Sequence, residues 1–303
     1  DIIVGADSHT CTYGGIGSFA TGLGSTDIAA AMVLGRTWFK VPETIRIDLE
    51  GSLQEHCGGK DVILWLISRL GVDGALYKAL EFSGPGLDRL SVEARLTVAN
   101  MAIEAGAKVG LFPCDQMTLD YLQAAGRTGD RELWPDPEAD YPERISIDLD
   151  RLPPQVACPH LPENVRPAEE LREIPLDQVV IGSCTNGRIS DLRAAAAILK
   201  GRKAAQGLRL IVLPATPRIY AQALHEGLLE TFMQAGAIIG PPTCGPCLGG
   251  HMGILASGER CLATTNRNFK GRMGSLESEV YLSGPSVAAA SAVTGRITDP
   301  NKL

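Results

Sequence analysis

The sequence predicts an α/β fold built on parallel sheets, and three observations support this prediction. Short apolar segments typical of strands alternate along the chain with segments of helical period, an order that indicates β-α-β units. Glycine is abundant, with 34 residues, whereas aromatic residues make up only 5%, so small residues and tight turns dominate the packing. At 303 residues, the chain is long enough for two or more domains.

The first part of the chain is predicted to alternate strands and helices after a glycine-rich opening. The predicted elements are a strand at Ile2–Val4, a polar loop at Gly5–Gly24, a helix at Ser25–Leu34, a strand at Ile45–Leu49, helices at Asp61–Leu70 and Val92–Ala105, and a strand at Lys108–Phe112. Asp27 lies in the first turn of its helix, and Val41-Pro42 interrupts the pattern after it. The alternation within Ile45–Leu49 indicates a strand that is buried on one face.

The second part follows a change in composition. Proline, aspartate and glutamate are frequent between residues 127 and 175, and we predict a domain linker around residues 160–175. The elements predicted after it are a strand at Val179–Gly182, a helix at Ile189–Leu199, a strand at Leu208–Pro214, a helix at Arg218–Ala235 and a strand at Ala237–Ile239.

Composition argues against several kinds of partner. The net charge of −7 and the lack of a basic run make nucleic acid a poor partner, because phosphate binding needs clustered lysine and arginine. Residues 231–258 carry no Asp, Glu, Lys or Arg, but their seven glycines and three prolines would break a membrane helix repeatedly. We therefore expect loops lining a buried site and no membrane insertion.

The cysteines indicate a metal site rather than a disulfide scaffold, for which eight in 303 residues are too few. Cys184 lies in "VVIGSCTNGR", where a strand gives way to a helix, and ligands of open α/β sheets bind at such points. Cys244 and Cys247 form a C-x-x-C pair in "PPTCGPCLGG". Three cysteine ligands leave one iron of a [4Fe–4S] cluster open, so that iron can act as a Lewis acid on a small hydroxy acid.

Three other chemistries are compatible with parts of this pattern. Cys-Gly-Pro-Cys is also the redox motif of thioredoxins, but the flanking Pro-Pro-Thr and Leu-Gly-Gly make a helix start unexpected here. Structural zinc would need a fourth ligand, for which His251 and Cys261 are candidates. "GGIGSFATGLG" resembles a dinucleotide loop, but it is about ten residues from the strand and lacks the following acidic residue. The remaining cysteines are predicted to be core or site-lining residues: Cys11, Cys57, Cys114 and Cys158.

Four motifs, "GADSHT", "GSCTNGR", "CGPCLGGH" and "TTNRNFKGRMG", together resemble the aconitase superfamily, and most closely its isopropylmalate and homoaconitate branch. The motifs run from Gly5 to Gly274, nearly the whole chain. The resemblance implies an aconitase-like fold of parallel-sheet, three-layer domains packed around an iron–sulfur cluster. It also implies three domains: 1–42 (the C-terminal part of a first α/β domain), 43–165, and 166–303 with the cluster cysteines.

The resemblance further implies roles for individual residues. The implied cluster ligands are Cys184, Cys244 and Cys247, the catalytic residues are Asp7, Ser8, His9 and Glu104, and the substrate-binding residues are Asn266, Arg267 and Arg272. The chemistry agrees, because a histidine beside a carboxylate can hold or relay a proton and guanidinium groups bind carboxylates bidentately. Asn100 is expected to share the helix face of Glu104, and Lys270 to face solvent.

Two departures from the citrate enzymes favour the isopropylmalate branch. Cys11-Thr12-Tyr13 follows "DSHT" where citrate aconitases carry Pro-Asn-Gly, and Arg188 follows "CTNG". The sequence therefore predicts a cytoplasmic hydro-lyase that interconverts 2-isopropylmalate and 3-isopropylmalate by dehydration and rehydration, in leucine biosynthesis. Homoaconitase is the alternative within this class. An RNA-binding regulator and a structural metal module without catalysis are alternatives from other classes.

Two family parts have no match in this sequence. The family also has a swivelling domain that carries a catalytic serine. Nothing in this sequence, which ends at Leu303, matches that domain. In the isopropylmalate branch that domain is a separate small subunit, so we expect a heterodimer. The N-terminal part of the family is expected to be missing ahead of Asp1.

Overall fold

The structure, a computed structural model, describes residues 1–128 and 130–303. Its strands are β1 (Ile2–Gly5), β2 (Phe19–Gly22), β3 (Thr44–Glu50), β4 (Ala79–Ser83), β5 (Val109–Leu111), β6 (Glu143–Asp148), β7 (Gln155–Ala157), β8 (Val165–Pro167), β9 (Gln178–Gly182), β10 (Arg209–Leu213), β11 (Ile238–Ile239), β12 (Arg260–Ala263) and β13 (Glu279–Ser283). Its α-helices are α1 (Ser25–Leu34), α2 (Gly59–Leu70), α3 (Val92–Met101), α4 (Gln116–Ala124), α5 (Ser183–Asn186), α6 (Ile189–Leu199), α7 (Pro217–His225), α8 (Leu228–Gln234), α9 (Gly245–Leu248) and α10 (Pro285–Thr294). Further 3-10 helices are Ser8–Ile16, Pro85–Arg89, Ala102–Ala105, Leu149–Arg151, Ala168–Leu171 and Pro300–Lys302.

The chain divides into two compact units, of which unit 1 comprises residues 1–53 and 70–151. Among its described residues, β5, β4, β3 and β6 form a parallel sheet in that order, and β1 pairs in parallel with β2. Ile45, Ile47 and Leu49 of β3 are fully buried, whereas the residues between them are partly exposed. This confirms the half-buried strand that the alternating sequence predicted.

Unit 2 comprises residues 54–69 and 152–303. In the part of it that the structure describes, the sheet has the order β11-β10-β9-β12-β13-β7-β8, with β7 and β8 joined antiparallel at one edge. Every residue of β9, an interior strand of this sheet, is buried, as is typical of a parallel sheet with covered faces. The alanine-rich helix α10 packs against β9 and α6, because its small side chains allow close approach. The predicted parallel-sheet α/β fold is thus confirmed.

The glycine-rich opening differs from its prediction. The segment predicted as a loop, Gly5–Gly24, contains the 3-10 helix Ser8–Ile16 and the strand β2. The 3-10 helix packs against α3 and β5, and β2 completes a parallel pair with β1. The glycine content of this segment indicates a loop, but its long-range contacts with α3, β5 and β1 stabilise regular structure.

Two predicted helices are also divided. The helix predicted at Val92–Ala105 is α3 followed by the 3-10 turn Ala102–Ala105. The helix predicted at Arg218–Ala235 is α7 and α8, separated at Gly227, whose φ of 73° is left-handed. A left-handed glycine ends a helix readily, so the break between α7 and α8 is encoded locally in the sequence.

The segment predicted as a linker, residues 160–175, contains β8 and the 3-10 helix Ala168–Leu171, both within unit 2. Helix α2 also belongs almost entirely to unit 2, although unit 1 flanks it in sequence. The predicted domain boundaries at residues 42 and 165 remain predictions. In the described ranges, no helix combines the length and the apolar character that crossing a bilayer requires.

Candidate active site

In unit 1, glycines bring the 3-10 helix Ser8–Ile16 into close contact with α3 and β5. A Cβ atom added at Gly15 would lie 2.7 Å from the backbone nitrogen of Leu96, and one added at Gly14 would lie 2.1 Å from the carbonyl oxygen of Gly110. Any side chain at either position would push the two segments apart. This approach supports the position of His9 beside the 3-10 turn that follows α3.

His9 and Glu104, both predicted catalytic residues, are brought together. His9 Nε2 lies 3.2 Å from Glu104 Oε1, and their side chains are only 11% and 6% exposed. Asp7 Oδ1 accepts a hydrogen bond of 2.6 Å from the backbone nitrogen of His9 and lies 3.6 Å from its Nδ1. The imidazole therefore lies between two carboxylates, an arrangement that can fix its tautomer and hold a proton.

Asn100 supports this pair from the preceding helical turn. Its Nδ2 donates to Thr12 Oγ1 at 2.9 Å, and that hydroxyl donates to the carbonyl oxygen of His9 at 2.6 Å. Cys11 is fully buried and donates its thiol to the carbonyl oxygen of Asn100 at 3.4 Å. Asn100 and Glu104 thus both face the segment that carries His9, as the helical spacing predicted. Ser8, the remaining predicted catalytic residue of this motif, is half-buried and begins the 3-10 helix.

In unit 2, Cys184 follows the carboxyl end of β9 through a tight turn. Gly182 has a φ of 130°, and a Cβ atom there would lie 1.9 Å from the carbonyl oxygen of Leu213. Ser183 adopts a left-handed φ of 74°, which is uncommon for a residue with a side chain. The turn presents Cys184 at the surface of the unit, at the strand end where the sequence predicted a ligand site.

A single buried amide links two of the predicted ligands. Asn266, which is 1% exposed, donates from Nδ2 to Cys184 Sγ at 3.7 Å, and its Oδ1 accepts from Cys247 Sγ at 3.6 Å. Arg272 Nη2 also donates to Cys247 Sγ, at 3.6 Å. Hydrogen-bond donors beside sulfur stabilise a thiolate, the form that binds metal.

The third predicted ligand, Cys244, is exposed and caps the short helix α9. The expectation that no helix starts here was wrong, because Pro246 is tolerated in a first turn where its missing N–H needs no partner. The preceding strand β11 nevertheless ends at Ile239, so the helix does not follow a strand directly as in the thioredoxin motif.

The two candidate fourth ligands for zinc do not complete a zinc site. His251 Nε2 lies 3.1 Å from Thr243 Oγ1, and its ring packs against Gly245. Cys261 is fully buried beside Gln178, and burial raises the pKa of its thiol to about 12. Within residues 1–128 and 130–303, no three His, Cys, Asp or Glu side chains converge on one ion position.

The predicted substrate arginines lie in the segment after β12. Arg267 is half-buried, and the guanidinium of Arg272 lies 5.9 Å from the centre of the Phe269 ring. Arg272 Nε is buried and has no hydrogen-bond partner among the described residues, so it is available to an anionic ligand. Lys270 is exposed, as expected.

Sequence reasoning missed Lys60, at the start of α2, which is 0% exposed. Its Nζ donates to Asn186 Oδ1 at 3.2 Å and to the carbonyl oxygens of Thr264 at 2.9 Å and Thr265 at 2.6 Å. Burial lowers the pKa of Lys60 to about 7, although nearby acidic groups oppose the shift. One local feature of the sequence indicates this burial, because Lys60 and Asp61 directly precede the unbroken apolar run of α2.

Comparison with known proteins identifies the family. The model of the aconitase family (aconitate hydratase) matches residues 1–173 and 165–295. The 3-isopropylmalate dehydratase large subunit of Oleidesulfovibrio alaskensis is 67% identical over 303 residues, which cover 100% of this chain and 72% of that protein. The subunit of the same name from Moorella thermoacetica is 61% identical with the same coverage. The chain belongs to the aconitase family.

A solved structure agrees at the level of the fold. Aconitase X of Thermococcus kodakaraensis, in its holo-form, matches with a TM-score of 0.53 and 14% sequence identity, over 91% of this chain and 66% of that chain. The aconitase-like fold that the motifs predicted is therefore confirmed. Family membership and relatives named dehydratases make this chain part of an enzyme of the hydro-lyase class, as the sequence predicted.

Proposed function

We propose that the chain is the large, cluster-binding subunit of a hydro-lyase that interconverts 2-isopropylmalate and 3-isopropylmalate. The observation that best supports a cluster-dependent hydro-lyase is the buried side chain of Asn266, whose amide contacts the thiols of both Cys184 and Cys247. The substrate follows from the names of relatives that are up to 67% identical over the whole chain. Leucine biosynthesis and a cytoplasmic location belong to the same proposal.

The cofactor in this proposal is a [4Fe–4S] cluster held by Cys184, Cys244 and Cys247. A cubane takes one thiolate at each of several corners, so its ligands spread apart and do not converge on one ion position. The described residues fit this requirement, since two of the thiols flank the Asn266 side chain and have donors at their sulfur atoms. When bound, such a cluster would supply Lewis-acid iron for a hydroxyl and a carboxylate of the substrate.

The residues of each unit have distinct roles in this proposal. In unit 1, His9 holds or passes a proton, Glu104 keeps its imidazole in one orientation, and Asp7 and Ser8 fix the backbone around it. In unit 2, Asn266, Arg267 and Arg272 bind substrate carboxylates, for which guanidinium groups have the matching geometry.

The partner in this proposal is a small subunit that carries the swivelling domain. The relatives are named large subunits, which implies a second, smaller chain in those enzymes. By family resemblance, that partner would supply the serine base and further contacts to the substrate, and the working enzyme would be a heteromer.

The assay of the reconstituted heteromer tests the proposed function. The chain would be loaded anaerobically with iron and sulfide, mixed with the small subunit, and offered 2-isopropylmalate, homocitrate or citrate in turn. We expect turnover of isopropylmalate. Turnover of homocitrate in its place would support homoaconitase, and turnover of citrate alone would contradict both assignments.

A further inference from the structure

We propose that Lys60 is a positioning residue that fastens together the two segments of unit 2 on which the cluster cysteine Cys184 and the amide of Asn266 are placed. The proposal rests on the proposed function, because it takes Cys184 and Cys247 as ligands of the cluster. Lys60 forms its hydrogen bonds with Asn186, Thr264 and Thr265, and it acts on the predicted ligands through these neighbours.

The Lys60 ammonium group has one acceptor for each of its donors. An ammonium group has three N–H donors and no acceptor. Lys60 Nζ has three acceptors, which are Asn186 Oδ1 and the carbonyl oxygens of Thr264 and Thr265, at distances between 2.6 and 3.2 Å. The side chain is fully buried, and such burial of a cation is unfavourable unless its partners compensate for lost water.

The acceptors of Lys60 lie close to predicted site residues along the chain. Asn186 lies two residues after Cys184, and Thr265 directly precedes Asn266, whose amide contacts the sulfur atoms of both Cys184 and Cys247. Lys60 therefore joins the segment after β9 to the segment after β12 at the level of the predicted ligands.

A neighbouring contact joins the same two segments. Thr264 Oγ1 accepts a hydrogen bond of 2.8 Å from the backbone nitrogen of Gly182 and donates one of 3.1 Å to its carbonyl oxygen. This link stays in place when Lys60 is replaced, because it does not involve the ammonium group. A variant of Lys60 can therefore fold while it loses the contact nearest to Asn266.

Charge also couples Lys60 to the predicted ligands Cys184 and Cys247. Thiols lose their protons when they bind a metal centre, so loading unit 2 adds negative charge beside these segments. In its protonated form, Lys60 is held in place by two backbone carbonyl oxygens and offsets part of that charge without competing for the sulfur atoms. A structural role alone would predict lost stability on replacement, whereas a positioning role also predicts a changed cluster.

The test replaces Lys60 by methionine, which has similar length but no charge or donor. Iron and sulfide content and the EPR spectrum of the reduced cluster would be measured in the reconstituted chain. We expect Lys60→Met to weaken iron retention on the order of 10-fold and to shift the EPR spectrum, as changes behind metal ligands typically do. Arg95→Met is the matched control, since Arg95 is another fully buried cation but lies in unit 1. It should lower the melting temperature and leave the cluster unchanged.

A second variant covers the case in which Lys60→Met does not fold. Asn186→Ala removes one of the three acceptors and leaves Lys60 bonded to Thr264 and Thr265, so we expect a smaller change of iron retention in the same direction. A wild-type cluster spectrum and iron retention in every folded variant would overturn the proposal for Lys60 and leave the proposed function intact. A wild-type chain that takes up no iron and sulfide would instead overturn the proposed function, and the role of Lys60 with it.

Discussion

At the scale of single residues, the fold of unit 1 brings His9 of the "GADSHT" motif into contact with Glu104, which is 95 positions away along the chain. His9 is held through its backbone by Asp7 and through its ring by Glu104, and the side chains of His9 and Glu104 are both largely buried. The Glu104 carboxylate holds the imidazole in one orientation and is close enough to exchange a proton with it.

Replacing Glu104 by glutamine tests this pair. The amide has nearly the same shape as the carboxylate but cannot accept a proton from the imidazole, and it can hold the wrong tautomer of the ring. We expect Glu104→Gln to lower kcat/KM on the order of 100-fold in the reconstituted enzyme, as loss of an acid–base group does. The melting temperature should hardly change. Glu50→Gln, at an exposed position of unit 1, is the matched control and should retain full activity.

The sequence predicted that His9 and Glu104 lie together, because both residues occupy positions that the family resemblance assigns to one site. It did not identify Lys60, because a lysine at the start of a helix is normally exposed. The acceptors that make its burial possible are 126, 204 and 205 positions away along the chain. Only the folded unit brings them to one point.

At the scale of elements, the approach of the 3-10 helix Ser8–Ile16 to α3 positions His9. The alternation of strands and helices was predictable, because it depends on local apolar periodicity. The 3-10 helix and β2 were not, because they are organised by contacts with α3, β5 and β1. Glycine content alone does not distinguish a mobile loop from a segment packed against a helix.

Gly15→Ala is the direct test of this approach. The new methyl group would lie 2.7 Å from the backbone of Leu96, which cannot move aside as a side chain can. We expect a loss of about 2 kcal/mol in the free energy of unfolding and a fall in activity as His9 moves relative to Glu104. Gly58→Ala is the matched control, because no atom lies within 4 Å of its added Cβ. Equal urea midpoints for the two variants would contradict the account.

A second prediction at this scale concerns the start of α4. The fully buried guanidinium of Arg95 lies 2.7 Å from Asp115 Oδ2, and Asp115 Oδ1 accepts from the backbone of Thr118. Burial opposes the charge on Asp115, but the bonds from Arg95 and Thr118 prevail and hold the pKa of its carboxyl below its usual value. Because the folded pKa lies below the unfolded one, the carboxylate stabilises unit 1 above about pH 4 and this contribution is lost at lower pH.

Urea titrations at several pH values would measure this effect. Asp115→Asn should lower the free energy of unfolding by about 3 kcal/mol at pH 7, because it leaves a buried cation without its counter-charge. The variant should also lose stability less steeply than the wild-type chain between pH 5 and pH 3. A parallel decline for the two proteins would show that Asp115 does not contribute to the acid sensitivity.

At the scale of the whole molecule, two units alternate along one chain. Unit 1 carries the His9–Glu104 pair, and unit 2 carries the three cysteines predicted as ligands and the arginines predicted to bind substrate. The motifs predicted the family correctly, since their order along the chain is itself specific. They did not predict that α2 belongs to unit 2, because an insertion of one unit into another leaves no mark in local composition.

The central claim is that Cys184, Cys244 and Cys247 hold a [4Fe–4S] cluster with one open iron. The most direct measurement is iron and acid-labile sulfide per reconstituted chain, with EPR, for the wild type and for a serine variant of each cysteine, with Cys158→Ser as the control. We predict about four iron and four sulfide in the wild type and the control, and loss of the cluster in each of the three variants. Zinc in place of iron, or a wild-type cluster in any of the three serine variants, would contradict the claim.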